Sequence, residues 1–234
     1  MLSKGQNVII EDDVILGENI FIGNNVTIKN GTTIGDNVVI MDNAVIGKNP
    51  TIAKASILSN KKLNVPTILG NNVTIGTSAI IYVNAKIGND VFIADQATVR
   101  ERVSIGDQTI IGRGVSIEND SSIGEKCKLE TNCYITAYSK LEDLVFIAPC
   151  VVTTNDNYMG RDKERYNHFK GIHVKTGGRI GANSTILPGK TINEEGAVAA
   201  GSLVTKDVAQ KSLVMGSPAK EIGKVPESQL LENQ

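Results

Sequence analysis

The sequence predicts an all-β fold, a parallel β-helix of hexapeptide repeats with one projecting loop and a short C-terminal helix. Aliphatic anchor residues recur at every sixth position, small or β-branched residues stand two places before them, and Gly, Asn and Asp fill the positions between. Six is a multiple of the two-residue repeat of a strand and does not fit the 3.6-residue turn of a helix. Three hexads would close a triangular rung, so residues 18 apart should stack.

The anchors keep one register over most of the chain. An ordinary β-sandwich, the alternative, does not hold a single register over so many consecutive strands. The anchors begin at Ile10 and include Leu16, Ile22, Ile28, Ile34, Ile40, Ile46, Ile52 and Leu58, then Leu69 to Ile147 at every sixth residue, and then Val174, Ile180, Ile186, Ile192, Val198 and Val204.

A strand and a corner make up each hexad. The position two residues before each anchor, called the small inward position, also faces the interior. It holds residues such as Val26, Val38 and Ala85, which suit a narrow interior. Gly commonly follows the anchor, as at Gly23 and Gly88, and a polar residue follows the Gly. These residue types accept the tight backbone of a corner.

We expect one domain over residues 1–234, because a single period spans nearly all of it. Hexads should occupy about 8–153 and 172–206, with a projecting loop at about 154–171 and a C-terminal cap at about 207–234 that ends in a short helix. The register also takes an eleven-residue step from Leu58 to Leu69. Insertions fit only at corners, and long projecting loops commonly carry function.

Composition excludes several classes of function. The net charge of −1 does not indicate a nucleic-acid surface, and no apolar run reaches the length of a membrane span. The N-terminus has no secretory pattern, so we expect a cytoplasmic protein without a membrane partner. Cys127 and Cys133 fall on the small inward position and should be packed thiols, whereas Cys150 does not. The sequence has no CxxC pair, so we expect neither a zinc knuckle nor a redox pair.

Three features together resemble the hexapeptide-repeat acyltransferases. They are the hexads of the form [LIV]-G-x-x-[small]-x, the run GANSTILPGKTINEEGAVAAGSLVTKDV, and GSPAK. The resemblance covers almost the whole chain. It implies a left-handed parallel β-helix, a homotrimer with active sites between subunits, and acetyl-CoA as the acyl donor.

Within that family, VFIAPCVVTTNDNYMGRD, GGRIGANSTILPG and IYVNAKIGNDVFIADQATVRE resemble the enzymes that acetylate dTDP-linked 3-amino-3,6-dideoxyhexoses. The resemblance implies N-acetylation of such a nucleotide sugar for surface polysaccharide or glycan biosynthesis, with Asn84 and Asp95 at the sugar amine. Many relatives carry a catalytic His where this sequence has Ala137. A sugar amine with a pKa of about 8 is on the order of one-tenth free base at pH 7, so a strong base is unnecessary.

The remaining candidates follow from residue type and from the same resemblance. Lysines can pair with phosphates, and small residues let an extended pantetheine arm approach the backbone. Substrate-binding candidates are Arg100, Tyr134, Thr154, Asn155, Asn157, Tyr158, Arg165, Tyr166 and His168; coenzyme A candidates are Gly181, Ala182, Ala199, Ala200, Gly201, Lys206 and Lys220.

Several alternatives stay open at this point. The substrate could be a UDP-linked or a 4-amino sugar, and the reaction could be O-acetylation, although an alcohol needs a general base. A zinc site of the γ-carbonic anhydrase kind requires three His, and the chain has two. A purely structural β-helix would present flat, regular faces, which the two insertions interrupt. We expect no metal cofactor.

Overall fold

The computed structural model describes residues 1–51 and 66–234, and the anchors Ile52 and Leu58 and most of the eleven-residue step lie outside these residues. Short parallel strands wind in order through three sheets, here called A, B and C. The three corners of each rung therefore align as three edges, AB, BC and CA, named for the sheets that they connect. The predicted all-β parallel β-helix is confirmed.

The strands of sheet A extend from one end of the helix to the other. They are β1 (Leu2–Lys4), β4 (Ile20–Ile22), β7 (Val39–Ile40), β10 (Thr74–Ile75), β13 (Phe92–Ile93), β16 (Ile110–Ile111), β19 (Lys128–Leu129), β22 (Phe146–Ile147), β25 (Arg179–Ile180), β28 (Ala197–Val198), β30 (Ser212–Gly216) and β31 (Ala219–Lys224).

Sheets B and C complete the prism. Sheet B contains β2 (Ile9–Ile10), β5 (Thr27–Ile28), β8 (Val45–Lys48), β11 (Ile80–Tyr82), β14 (Thr98–Val99), β17 (Ser116–Ile117), β20 (Tyr134–Ile135), β23 (Val152–Thr153), β26 (Thr185–Ile186) and β29 (Leu203–Val204). Sheet C contains β3 (Ile15–Leu16), β6 (Thr33–Ile34), β9 (Ile68–Leu69), β12 (Lys86–Ile87), β15 (Ser104–Ile105), β18 (Ser122–Ile123), β21 (Lys140–Leu141), β24 (His173–Val174) and β27 (Thr191–Ile192).

The strand register confirms that residues 18 apart stack. Ile22 pairs with Ile40, and Ile93 pairs with Ile111, so each anchor lies above the anchor of the previous rung. Anchors from Ile22 to Val204 in the described rungs are buried, and the small inward residues such as Val26 and Ala85 are buried with them. One continuous apolar core therefore fills the prism from end to end.

All three edges are closed by a repeated corner. The third corner residue adopts a left-handed conformation, as at Asn25 (φ 55°), and Asn tolerates that conformation better than most residues. A Cβ on Gly23 would lie 2.7 Å from the backbone nitrogen of Asp42, so the close approach of successive rungs requires Gly there. The Asp42 carboxylate accepts a hydrogen bond from the Asn24 backbone N–H at 2.7 Å, which links the two rungs.

The C-terminal cap contains a hairpin as well as the predicted short helical end. Strands β30 and β31 form an antiparallel hairpin that continues sheet A. The residues after the hairpin form two short 3-10 helices, Glu227–Gln229 and Leu231–Asn233. Leu230 between them has an extended backbone and a buried side chain, which packs with Val225 and Ala197. Burial of this leucine interrupts the helix.

The projecting loop lies where the sequence predicts it, between β23 and β24 on edge BC, and it contains a 3-10 helix at Lys163–Asn167. Among residues 1–51 and 66–234, none belongs to a helix with the length and apolarity that a membrane crossing would need.

Neighbouring residues of β9 test the role of the anchors. Leu69 is 1% exposed and Ile68, which points outward from the same strand, is 37% exposed. We expect Leu69→Ala to lower the free energy of unfolding by about 2–5 kcal/mol, because it leaves a cavity in the core. The control Ile68→Ala should change it by about 0.5 kcal/mol or less. Urea denaturation measures both, and equal losses would contradict the inward assignment.

Candidate functional site

Edge BC differs from the other two edges at the first corner position, directly after the anchor. On edges AB and CA this position is mostly Gly or Ala, because a Cβ there meets the backbone of the next rung: at Gly106 it would lie 2.7 Å from the backbone nitrogen of Glu125. Edge BC instead carries larger side chains over consecutive rungs. They are Tyr82, Arg100, Glu118, Thr136 and Thr154.

The long connections also leave from edge BC. Strand β8 of sheet B is followed in the chain by β9 of sheet C, and β23 of sheet B is followed by β24 of sheet C. The rungs that carry residues 82–84, 100–102, 118–120 and 136–138 lie between these two connections. The side chains of edge BC are therefore placed where bound molecules could also contact the projecting loop, residues 154–171.

An ion-pair network covers these rungs. The Arg100 guanidinium donates from Nε and Nη2 to the two carboxylate oxygens of Glu101, at 2.9 and 3.2 Å, and from Nη1 to Glu118 at 3.3 Å. Glu101 is only 2% exposed. Arg102 donates to both oxygens of Asp120, at 2.6 and 2.9 Å. Bidentate pairs of this kind fix the orientation of the guanidinium.

Tyr82 contributes an aromatic ring to the same edge. The Lys48 ammonium lies 5.2 Å from the ring centre, and the Arg100 guanidinium carbon lies 4.8 Å from it. Both distances are within the range of cation–π attraction. Tyr82 thus supports Arg100 from one rung below.

Two acidic groups, one on this edge and one on the adjacent strand β20, have raised pKa values. Burial raises the pKa of Glu118 and the nearby Glu101 carboxylate raises it further, whereas Arg100 opposes the shift. Burial also raises the pKa of Tyr134, and the Glu118 charge adds to that effect. Carboxylates and phenols with perturbed pKa values are typical of functional sites, although ion-pair networks also produce them.

The structure does not bring Asn84 and Asp95 together within one chain. Asn84 is at the left-handed corner of edge BC (φ 61°) and is partly exposed. Asp95 is exposed on edge AB, where its Oδ1 accepts a hydrogen bond from the Thr77 backbone N–H at 2.8 Å. The same link joins Asp42 to Asn24 on that edge. Asp95 therefore has a structural role that recurs along edge AB.

The predicted residues of the projecting loop mainly contact one another. The Asp156 carboxylate accepts hydrogen bonds from the backbone of Tyr158 and Gly160 and from Arg165 at 2.9 Å. The Arg165 guanidinium carbon lies 4.7 Å from the centre of the Tyr166 ring. Arg165 is thus held within the loop, and its role toward a substrate stays a prediction.

The other loop candidates attach the loop to the helix or remain at its surface. The rings of Tyr158 and His168 stack with centroids 5.7 Å apart. Thr154 Oγ1 donates to the Ile186 carbonyl at 2.9 Å, and the Asn155 carbonyl accepts from the Lys170 backbone N–H at 3.2 Å. Asn157 is exposed.

The predicted coenzyme A residues fall into two groups. Lys206 and Lys220 line one groove of about 350 Å³, together with Asp207 and Glu221, between the end of the last complete rung and the C-terminal hairpin. The small residues form the other group, on edge AB of the last rungs; they are Gly181, Ala182, Ala199, Ala200 and Gly201. A Cβ on Gly181 would lie 2.5 Å from the Ala200 nitrogen, so packing alone explains that glycine.

The cysteines have no reactive arrangement within the described residues. Cys127 and Cys133 are buried as predicted, and burial raises the pKa of their thiols to about 11 and about 12. Cys150 is exposed. No cluster of potential metal ligands occurs in residues 1–51 and 66–234.

Sequence reasoning missed the importance of Glu101, Glu118 and Tyr82. One signal was present in the sequence: the Gly or Ala that commonly follows an anchor is replaced by a large side chain at Tyr82, Arg100 and Glu118, which stand 18 residues apart. Replacement at that spacing places all three on one edge.

Family models match two stretches of the chain. Residues 7–48 match the hexapeptide repeat of succinyl-transferase, and residues 84–119 match the bacterial transferase hexapeptide, six repeats. The second stretch contains Asn84, Asp95 and Glu118. These matches confirm the predicted resemblance to hexapeptide-repeat transferases.

Curated relatives match over short segments. A dTDP-3-amino-3,6-dideoxy-α-D-galactopyranose 3-N-acetyltransferase of Aneurinibacillus thermoaerophilus is 48% identical over 52 residues, 22% of this chain and 27% of that protein. A Staphylococcus aureus protein named as an acetyltransferase is 38% identical over 69 residues, 30% of this chain and 34% of that protein. The matched segment thus spans about a third or less of each relative.

A solved structure agrees over a longer range. The UDP-N-acetylglucosamine acyltransferase of Arabidopsis superposes with a TM-score of 0.55 over 94% of this chain and 73% of that one, at 14% sequence identity. At this identity the similarity shows the fold alone.

His173 and Glu142 form an ion pair at the base of the projecting loop. His173 Nε2 lies 2.8 Å from Glu142 Oε1, and Thr176 donates to Glu142 Oε2 from its backbone N–H and its hydroxyl. Burial alone would raise the pKa of Glu142, but the hydrogen bonds from His173 and Thr176 and the His173 charge lower it to about 2. His173 is therefore engaged in a structural contact.

This pair predicts a pH-dependent contribution to stability. A lowered carboxyl pKa stabilises the fold above the ordinary value of 4.5, and the stabilisation is lost as the pH falls toward about 2. Glu142→Gln should therefore lower the urea midpoint at pH 7, and its difference from wild type should shrink as the medium is acidified through that range. Glu125→Gln, an exposed carboxylate on the same edge, is the control. If the urea midpoint of Glu142→Gln stayed below that of wild type by the same amount at every pH, the lowered pKa of Glu142 would be contradicted.

Proposed function

We propose that this protein is an N-acetyltransferase that moves an acetyl group from acetyl-CoA to the amine of a nucleotide-linked amino sugar. The proposed substrate is a dTDP-linked 3-amino-3,6-dideoxyhexose with its amine at position 3. The observation that carries the proposal is the 48% identity over 52 residues to a 3-N-acetyltransferase of such a sugar. The polar side chains of edge BC and the adjacent projecting loop support it, because they provide groups that suit a sugar nucleotide.

The proposal includes a homotrimer with active sites between subunits. Asn84 and Asp95 lie on different edges, so both can reach one amine only if they come from different copies of the chain. Exposed apolar side chains on sheet A support association. Phe92 and Ile110 are 46% and 40% exposed and lie side by side on strands β13 and β16, and adjacent exposed apolar side chains of this kind commonly mark an interface.

Transfer to an amine requires an unprotonated nitrogen that is aimed at the thioester carbonyl. The Asn84 side-chain amide would fix the direction of the amine, and the Asp95 carboxylate would accept a hydrogen bond from it. The nitrogen then bonds to the acyl carbon while the carbon–sulfur bond breaks. The tetrahedral oxyanion formed between these events needs hydrogen-bond donors close to it.

Coenzyme A is proposed to bind toward the C-terminal end of the helix. Lys206 and Lys220 share one groove, and two ammonium groups at one site suit the phosphates of this ligand. The small residues on edge AB, such as Ala199 and Gly201, would let the pantetheine arm approach the backbone. We propose that the loop residues Thr154, Asn155, Asn157, Tyr158, Arg165, Tyr166 and His168, together with Arg100 and Tyr134, face the sugar nucleotide.

The direct test is an acceptor panel. Purified protein is incubated with acetyl-CoA and with dTDP- and UDP-linked 3-amino and 4-amino sugars, and the released thiol is measured. We expect the fastest release with a dTDP-linked 3-amino sugar, and mass spectrometry should show one acetyl group on nitrogen. Faster release with a 4-amino or UDP-linked sugar would correct the substrate. Acetylation of hydroxyl groups only, or no release with any acceptor, would contradict the proposed N-acetyl transfer.

Asp95→Ala tests the carboxylate that is assigned to orient the amine. We expect kcat to fall by about tenfold or more, because the nucleophile loses its alignment. Asp42→Ala is the matched control, since Asp42 makes the same inter-rung link on the same edge. If the two variants lose similar stability and neither loses activity, the role of Asp95 is confined to the corner link.

Lys206→Ala and Lys220→Ala test the coenzyme A groove. Each should raise the KM for acetyl-CoA by about tenfold through loss of a charge-assisted hydrogen bond, with a smaller effect on kcat. Steady-state kinetics against acetyl-CoA measures this, and the exposed Lys4→Ala at the opposite end of the helix is the control. An unchanged KM in both groove variants would place the phosphates elsewhere.

A further inference from the structure

Glu118 is a partly buried carboxylate on edge BC that the roles described above do not use. It follows the anchor Ile117 at the first corner position, and its side chain is 24% exposed. Thr136 and Ala137 occupy the corresponding positions of the next rung, since Ile117 pairs with Ile135 across strands β17 and β20. Glu118 is therefore next to the rung whose second corner position is Ala137.

The orientation of Glu118 depends on Arg100, which is itself held in place by the buried Glu101. Glu101 holds the Arg100 guanidinium through Nε and Nη2, which leaves Nη1 to donate to Glu118 at 3.3 Å. Tyr82 lies against the same guanidinium. Because Glu101 is buried and Arg100 is held at two atoms, Glu118 meets a fixed donor at one of its oxygens.

Transfer of an acyl group to an amine releases a proton from the nitrogen, and a nearby base can accept it. Ala137 offers no such group. Asp95 has one oxygen engaged in the link to Thr77 and is exposed on edge AB. Glu118 is a carboxylate on the edge that also carries Asn84 and from which the projecting loop leaves.

On the basis of the proposed acetyl transfer, we propose that Glu118 is a catalytic residue that accepts the proton of the attacking amine. The nitrogen bonds to the acyl carbon and the carbon–sulfur bond breaks, with its electron pair remaining on sulfur. The proton leaves the nitrogen for a carboxylate oxygen of Glu118, and then passes to the coenzyme A thiolate. The products are an N-acetylated sugar and a free thiol, and Glu118 is regenerated as a carboxylate.

The groups that face Glu118 suit this role. Arg100 is its cationic neighbour, the Glu101 carboxylate pairs with that arginine, and Tyr134 lies on the strand of the next rung, where the Glu118 charge acts on its phenol. Burial and the Glu101 charge raise the pKa of Glu118 against the opposing effect of Arg100. A more basic carboxylate accepts a proton more readily than an exposed one does.

Glu118→Gln and Glu118→Ala test the proposal in the full-length protein with the acceptor that the panel selects. Loss of a general base commonly costs about 10²-fold or more, so we expect kcat to fall by at least about tenfold with little change in the KM for acetyl-CoA. Sodium formate should restore part of the kcat of Glu118→Ala, because a small carboxylate can occupy the vacated space. Asp95→Ala, where the carboxylate orients the amine, should not respond to formate.

The matched control is Glu130, which occupies the same first corner position on edge AB. Glu130→Gln and Glu130→Ala should retain wild-type kcat with or without formate, and thermal unfolding should show that all variants are folded. Wild-type kcat in Glu118→Gln, a raised KM with unchanged kcat, or no formate response in Glu118→Ala would overturn the role of Glu118 and leave the proposed acetyl transfer intact. Absence of turnover in the wild-type protein with every acceptor would overturn both.

Discussion

The structure depends on one packing constraint: an aliphatic side chain must fill the centre of the prism at every sixth residue. Ile22, Ile40, Ile75 and the anchors above them are buried in one column, and each rung contacts only its neighbours. Successive rungs are then so close that corner positions on two edges exclude a Cβ, as at Gly23 and Gly106. Asn and Asp side chains link the rungs at these corners. Edges AB and CA are consequently occupied largely by structural residues.

Edge BC differs from the other two edges in the larger side chains at its corners. Tyr82, Arg100 and Glu118 replace the small residue that commonly follows an anchor, and the buried Glu101 fixes Arg100 between them. The projecting loop leaves from this edge and is itself held together by the Asp156–Arg165 ion pair. A rigid scaffold thus presents polar groups on one edge and a loop beside them. This is the arrangement that the proposed N-acetyl transfer needs, since the reaction relies on alignment of an amine with a thioester.

Much of the fold could be predicted from the sequence because its main determinant is periodic. The position of Ile22, Ile93 or Val198 in the register fixes both its burial and its strand, and the break in the register after Thr153 locates the projecting loop. The C-terminal cap was less predictable, since the hairpin and the extended Leu230 depend on contacts with the end of the prism such as Ala197. Periodicity carries no information about such contacts.

The candidate site was predictable only in part. Residue type and resemblance identified Asn84, Arg100 and the loop, and the groove does bring Lys206 and Lys220 together. The link from Asp95 to Thr77 and the arrangement of Glu101, Arg100 and Glu118 arise from stacking of residues on successive rungs. Such stacking becomes visible only when each residue is assigned to an edge. Asp95 then resembles its structural neighbours on edge AB, whereas Glu118 differs from the Gly or Ala that is most common at its corner position on the other two edges.

The central claim is that edge BC carries the active site. The most direct measurement is a crystal structure of the protein with coenzyme A and an unreacted dTDP-linked 3-amino sugar. The account predicts that the sugar lies against edge BC, with its amine near Asn84 and the Arg100–Glu118 pair, and that the coenzyme A thiol points toward that amine. A sugar bound along edge CA, away from these residues, would contradict it.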